Sequence, residues 1–361
     1  MSDSTFNPTE KQQEIAERII NIYKEFKVKI GPFAGIAVGE RVTRYEFNVA
    51  PTEKLSRILK YKDDISLMLS LPVVRIVFPI CGTERIGIEL QNEEAKTVKF
   101  DEVYSSLPQA EAYDNLPLVL GRALGGENII QPLSRAPHIL IGGEEFSGKT
   151  ALVKNMLLSL LLSTDPKDVK VVLITNEPEK YSVFEGESHF MCPTIREKHT
   201  AYERLRDLYE ECLERLSNFK VANVKSLKDY NDKNLPKKLP KIVVIIDDFS
   251  EFLPYQKKAV EQYVLTLAQV GRAAAMHLIL STKETKPTAV SGMLKANIPT
   301  RIALKCENGV KSRTILDEGG AENLIGGGDM LLSNVNLMLP VRIQSPTLTD
   351  QEIREKLNKK Q

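Results

Sequence analysis

At 361 residues the chain is long enough for two packed units of ordinary domain size. Hydrophobic residues make up 42% and charged residues 27%, which excludes a largely disordered or collagen-like chain. Lys and Arg (49) balance Asp and Glu (48) to leave +1, so no global basic field marks nucleic acid or anionic membrane as a partner, and any such binding must come from a local patch. Four single cysteines, Cys81, Cys192, Cys212 and Cys306, form no pair at metal-ligand spacing, which suits a reducing compartment. The polar start lacks the basic and apolar regions of a signal peptide. The longest apolar run, near Met156, falls short of the ~18 residues of a membrane span. Together these features predict a soluble cytoplasmic protein with no membrane insertion.

From Thr9 to Phe26, Ile15, Ile19, Ile22 and Tyr23 recur at helical spacing, and Gly31-Pro32 closes the segment. Strand patterns follow at Val42–Val49, Val73–Phe78 and Ile86–Leu90, with a helix predicted from Leu55 to Leu69. Residues 1–115 therefore read as an α+β domain, with the boundary placed in the aperiodic stretch Pro108 to Asn115. Residues 116–361 alternate apolar strands with helices, as in an α/β domain with a parallel-rich sheet. The strands are predicted at His138–Ile141, Val169–Thr175, Ile242–Asp247, His277–Thr282 and Arg301–Cys306. Leu205, Leu208, Cys212, Leu216 and Phe219 share one face of an amphipathic helix, which makes Cys212 a core residue. The lysine-rich stretch from Lys225 to Lys241 suits an exposed connection.

Gly143-Glu144-Glu145-Phe146-Ser147-Gly148-Lys149-Thr150 is a complete GxxxxGK[ST] phosphate loop, preceded by an apolar strand and followed by a helical run. Such a loop turns successive backbone N–H groups and a helix N-terminus toward phosphate oxygens. Lys149 then reaches the β and γ phosphates of ATP, and the Thr150 hydroxyl meets Mg²⁺. Glu144 and Glu145 are unexpected there, because carboxylates facing polyphosphate would weaken binding unless they point to solvent. About a hundred residues later, Lys241 to Asp248 is an apolar strand ending in two carboxylates, with Asp247 placed to hold Mg²⁺ through water and Asp248 to polarise the attacking water.

With these motifs placed, the phrases VTRYEFNVAP, IGIEL, APHILIGG, YSVFEG, VVIIDDFSEF, AQVGRAAAMHLIL, LKANIPTRIA, SRTILDEGGAENLIGGGDML and LPVRIQ resemble the motor region of FtsK/SpoIIIE family DNA translocases, in family order from about Ala16 to Gln351. The resemblance implies a RecA-like P-loop NTPase domain after a smaller α domain, assembled as a homo-oligomeric, hexameric ring around double-stranded DNA and driven by ATP hydrolysis. It matches Lys149 and Thr150 to the Walker A pair and Asp247 to the Mg²⁺ carboxylate. Arg272 matches an arginine finger acting on the neighbour's ATP, which would make hydrolysis depend on assembly. Lys295 and Arg313 match basic pore positions, with Lys311 beside the second. Between Ser281 and Arg313, seven cations face only Glu284 and Glu307, a local patch suited to gripping phosphates without reading bases.

The sequence departs from the family at the chemistry. Asp248 stands for a catalytic glutamate and shortens the reach by one methylene. Lys283 replaces a sensor-like glutamine, and Glu177 reverses a charge near the active face. No winged-helix domain follows Gln361 and no anchor precedes Met1, so neither sequence-directed orientation nor septal anchoring is expected of this chain. Two further readings stay open: a slow or inactive relative that binds ATP as a scaffold, and a related motor for conjugation or secretion.

Overall fold

Thr9 starts the first helix with a capping box, its side chain accepting from the Gln12 N–H while the Gln12 side chain returns to the Thr9 N–H. That helix, α1 (Glu10–Glu25), lays Ala16, Ile19, Ile22 and Tyr23 on a small antiparallel sheet in the order β1-β2-β4-β3. The strands are β1 (Ile30–Val38), β2 (Val42–Val49), β3 (Val74–Val77) and β4 (Arg85–Gln91). In this computed structural model the described residues are 8–50, 52–80, 82–107, 116–233, 238–283 and 290–360. The boundary stretch 108–115, along with Glu284 and Lys286, lies outside them.

β1 is absent from the sequence reading because Gly31, Pro32 and Gly35 look like breakers. It is an edge strand whose register shifts between Ile30 and Phe33 and again between Phe33 and Gly35, and an edge with bulges tolerates proline. The single helix expected from Leu55 to Leu69 is two, α2 (Leu55–Lys60) and α3 (Lys62–Met68), broken at Tyr61. A short helix, α4 (Phe100–Tyr104), follows the small sheet, but Val98, Phe100 and Val103 pack into the core of the larger unit.

That larger unit is built on nine strands ordered β6-β5-β13-β12-β11-β7-β10-β9-β8. Five of them are parallel: β11 (Thr300–Leu304), β7 (His138–Gly142), β10 (Met276–Thr282), β9 (Lys241–Ile246) and β8 (Val169–Ile174). They are the five predicted strands, with ends that differ by one or two residues. Four more extend the sheet antiparallel: β12 (Asp329–Ser333), β13 (Val341–Gln344), β5 (Pro117–Ala123) and β6 (Asn128–Pro132). Gly121 lies at a register shift in β5, which hides that strand from an alternation count.

Helix α5 (Lys149–Ser163) is apolar all round because it is covered on every side, and its buried polar groups are satisfied. Asn155 donates to Ser345 Oγ at 3.1 Å and to Pro346 O at 2.7 Å, while Ser159 Oγ accepts from the Val119 N–H at 3.0 Å. On the opposite face lie α6 (Lys198–Val221) and, after α7 (Leu227–Asp232), α8 (Lys257–Val270). Cys212 is fully buried there, and burial pushes its thiol up to about 11. Among the described residues the remaining α-helices are α9 (Gly292–Asn297), α10 (Gly309–Leu316) and α11 (Asp350–Lys360).

Candidate nucleotide site

Because the parallel strands all run the same way, β7, β9 and β10 deliver their carboxyl ends to one edge of the sheet, where such folds bind ligands. A cavity of about 650 Å³ opens there, lined by Glu145, Phe146, Gly148, Lys149, Thr150, Asn176, Glu177, Asp247, Asp248 and Lys283 among others. The structure thus brings the two sequence motifs together.

The phosphate loop leaves β7 at Gly143 and enters α5 through Gly148, whose φ of 110° is left-handed and favours glycine. Ser147 Oγ donates to Glu144 O at 2.7 Å and tightens the turn. Lys149 Nζ donates to Gly143 O at 2.8 Å and Glu144 O at 2.7 Å, so the ammonium is folded onto the loop. Burial pushes Lys149 below its ordinary value, against the opposing pull of the Asp248, Asp247 and Glu145 carboxylates. The two loop glutamates diverge, with Glu144 turned toward Lys305 at 4.0 Å and Glu145 exposed at the rim. Phe146 is 97% exposed at a φ of 60°, a left-handed conformation that costs a non-glycine residue energy.

Asp247 is buried and held on both oxygens. Tyr181 OH donates to Oδ2 at 2.8 Å, and Ser281 Oγ donates to Oδ1. The Thr150 side chain lies beside the same Tyr181 hydroxyl, so one phenol neighbours both groups expected at Mg²⁺. Burial, then the neighbouring Asp247, hold the Tyr181 hydroxyl well above its ordinary value, keeping it a neutral donor. Thr150 and Asp247 supply only hard oxygen donors, and among the described residues no cluster of three or more His, Cys, Asp or Glu could cage a metal. That donor set fits Mg²⁺, which is normally held by one or two protein oxygens, substrate phosphates and water. When bound, the ion would neutralise phosphate charge.

Asp248 follows β9 at a φ of 59° and is also buried. Ser250 Oγ donates to its Oδ1 at 2.9 Å, and Lys283 Nζ lies 3.0 Å from its Oδ2 and 3.2 Å from Glu251 Oε1. The hydrogen bond to Asp248, only partly offset by burial, raises the Lys283 ammonium above its ordinary value, so it stays charged.

Arg272 is not in this cavity. It is exposed on the turn Gly271–Ala274 and lines a separate cavity of about 540 Å³ together with Lys241 and His277. Lys295, Lys311 and Arg313 lie on α9 and α10 and do not line this cavity. Asp317, just beyond the stretch in which the cations were counted, takes Lys295 at 2.6 Å and also pairs with Arg301, while Glu307 takes Lys311. Arg313 is exposed. Tyr181 and Ser281 are neighbours of Asp247 that sequence reasoning missed; Tyr181 falls in the YSVFEG phrase and Ser281 near the end of a predicted strand, but nothing local marks their hydroxyls as partners of Asp247.

A phosphate loop opening a helix beside an acidic strand end, on a parallel-rich sheet, defines the P-loop NTPase fold. Sequence profiles sharpen this: that of the FtsK/SpoIIIE family matches residues 100–287, and that of the FtsK alpha domain matches residues 1–92. The chain belongs to the FtsK/SpoIIIE family. It is 35% identical over 349 residues to the DNA translocase FtsK of Caldanaerobacter subterraneus subsp. tengcongensis, covering 97% of this chain and 48% of the relative. It is 37% identical over 322 residues to the DNA translocase FtsK of Clostridium acetobutylicum, covering 88% and 42% respectively. The chain thus spans about half the length of the curated relatives it matches.

Among solved structures, the pCW3 conjugation coupling protein TcpA with ATPγS aligns over 96% of this chain and all of its own, with a TM-score of 0.65 and 20% identity. The cytoplasmic domain of the Thermomonospora curvata type VII secretion ATPase EccC covers 73% of this chain and 34% of its own, with a TM-score of 0.61 and 20% identity. At that identity they establish the fold. No described helix is long and apolar enough to cross a membrane.

Proposed function

We propose that the chain is the motor portion of an ATP-driven machine that moves along double-stranded DNA as a ring of identical subunits, hexameric as the family resemblance implies. The observation that carries the reading is the convergence of Lys149, Thr150, Asp247 and Asp248 on one cavity in a member of this family. In it, the loop amides and Lys149 bind the phosphates of ATP, Thr150 and Asp247 hold Mg²⁺, and Asp248 orients the attacking water. Arg272 lies outside its own subunit's cavity, which supports a role on the ATP of a neighbour. Lys295, Lys311 and Arg313 contact the DNA backbone; Lys295 and Lys311 must first exchange Asp317 and Glu307 for phosphate, so binding is weaker than the count of cations implies. Localisation to the cytoplasm follows from the same role.

The test is steady-state ATP hydrolysis with and without long duplex DNA, with Lys149→Ala as the blank and Arg272→Ala as the assembly probe. DNA-stimulated turnover, lost in both variants while Arg272→Ala still binds ATP, is the expected result. Binding without turnover would favour the second reading, a slow ATP-gated scaffold, for which the ammonium of Lys283 on Asp248 is the specific support. Stimulation that survives Arg272→Ala would remove the finger assignment.

A further inference from the structure

Behind the phosphate loop runs a second glycine loop, Gly326-Gly327-Gly328, with φ values of 84°, 61° and 87°. The two loops touch backbone to backbone. Gly328 N–H donates to Ser147 O at 2.9 Å, and a Cβ on Gly148 would lie 2.5 Å from Gly328 N. With no side chain between them to yield, the shape of the phosphate loop depends on that of the glycine loop.

Beside a long contact from the Asp329 N–H to Gly326 O at 3.4 Å, three groups hold the carbonyls of the glycine loop. Ser345 N–H donates to Gly328 O at 2.9 Å, and Gln344 Nε2 donates to Gly327 O at 2.9 Å. The third belongs to the other unit: Arg41 Nη1 donates to Gly326 O at 2.9 Å and to Gly327 O at 3.2 Å, across 285 positions of sequence. Arg41 sits in the turn between β1 and β2, where its own carbonyl accepts from the Asn92 N–H at 2.9 Å. At the base of the loop, the Asp329 carboxylate accepts from the Ile325 N–H at 2.8 Å and pairs with Arg342, which in turn grips Glu89 on β4 at 2.7 Å. The small sheet therefore reaches the loop at its tip through Arg41 and at its base through Glu89.

We propose that Arg41 is a positioning residue for the phosphate loop, so that the N-terminal unit sets the shape of the ATP cradle through the glycine loop. The proposal rests on the reading of Gly143–Thr150 as the ATP site. A guanidinium shared by two carbonyls is a strong, charge-assisted contact. Its loss leaves Gly326 O with only the long 3.4 Å contact from the Asp329 N–H and Gly327 O with only Gln344, so the tip of the glycine loop loosens beside the Gly328 N–H that holds Ser147 O. Linkage makes the coupling reciprocal, so nucleotide bound at the phosphate loop also tightens the hold on Arg41.

The experiment compares the whole chain with Arg41→Ala and Arg41→Gln, the second retaining a donor should the first fold poorly. Fluorescent ATP and ADP are titrated, and amide hydrogen exchange is followed with and without nucleotide. Arg41→Ala should weaken ATP and ADP alike by roughly tenfold, the scale of one charge-assisted hydrogen bond, because the cradle serves both. Arg41→Gln should lose less. In the wild type, nucleotide should slow exchange around residues 39–42, an effect lost in Lys149→Ala.

If Arg41 merely glues the two units, Arg41→Ala will lower thermal stability, leave both affinities within twofold of wild type, and abolish no nucleotide-dependent protection. That result overturns the proposal. If the wild type binds no nucleotide, the ATP-site reading fails by itself. Exchange in the free protein still decides the role of Arg41, because amides of residues 143–150 should then exchange faster in Arg41→Ala, and unchanged exchange refutes the proposal.

Discussion

Glu89→Gln is the sharpest test of what joins the two units. Glu89 is buried on β4, and its Oε2 accepts from Arg75 at 2.9 Å and from Arg342 of β13 at 2.7 Å. Burial alone would raise this carboxyl, but Arg75 and Arg342, through charge and hydrogen bonds, hold it at about 2 against an ordinary 4.5. That depression corresponds to about 3 kcal/mol of stability, within the range measured when one partner of a buried ion pair is removed. Because the folded value lies below the unfolded one, the contribution is fully present above about pH 4.5 and is lost as pH falls toward 2. Urea unfolding followed by far-ultraviolet circular dichroism, which suits a chain without tryptophan, should show Glu89→Gln less stable by about 3 kcal/mol at pH 7. The gap should narrow as pH falls from about 4.5 toward 2, because Glu89 takes up its proton in the unfolded chain before it does so in the folded one. A difference under about 1 kcal/mol at pH 7, or one that stays constant into acid, would refute the argument.

Two further predictions concern the cavity. Lys283→Met removes an ammonium from a pocket that also holds Asp247, Asp248 and Glu177, and should weaken ATP more than ADP by on the order of tenfold, the Coulomb scale at several ångströms in a partly screened site. Equal losses for the two nucleotides in a fluorescence titration would place Lys283 out of reach of the terminal phosphate. Phe146→Gly should relieve left-handed strain at a residue whose ring is almost wholly exposed, raising the melting temperature by on the order of 2 °C. A lower melting temperature in calorimetry would mean that the ring makes a stabilising contact.

Local signals made half of the site legible. The phosphate loop and the strand ending in Asp247 and Asp248 are written in consecutive residues, and the five parallel strands are near-continuous apolar runs. What escaped is either irregular or distant. β1 is interrupted by Gly31, Pro32 and Gly35, and β5 shifts register near Gly121. Tyr181 is 66 positions from Asp247, and Arg41 is 285 from Gly326, so no window along the chain contains both partners. The basic stretch shows the same limit in another form. Counting charges along the sequence left out Asp317, which the fold returns to Lys295 and Arg301.

The departures from the family pattern look different once they are seen in space. Taken one at a time, a shortened acid at Asp248 and a lysine at Lys283 read as two separate injuries to a hydrolytic site. In the structure they belong to one ion cluster: β9 and β10 are adjacent and parallel, and the ends of these strands place Lys283 between Asp248 and Glu251 at 3.0 and 3.2 Å. The cation offsets the repulsion among carboxylates crowded at the end of β9, while Ser250 fixes the other oxygen of Asp248 at 2.9 Å. The Asp248 carboxylate is thus held in a defined position, with a charged side chain beside it that also lines the cavity. The two substitutions are therefore coupled. Restoring glutamate at position 248 alone would crowd the cluster instead of repairing it, and the two positions have to be varied together before either can be called a defect.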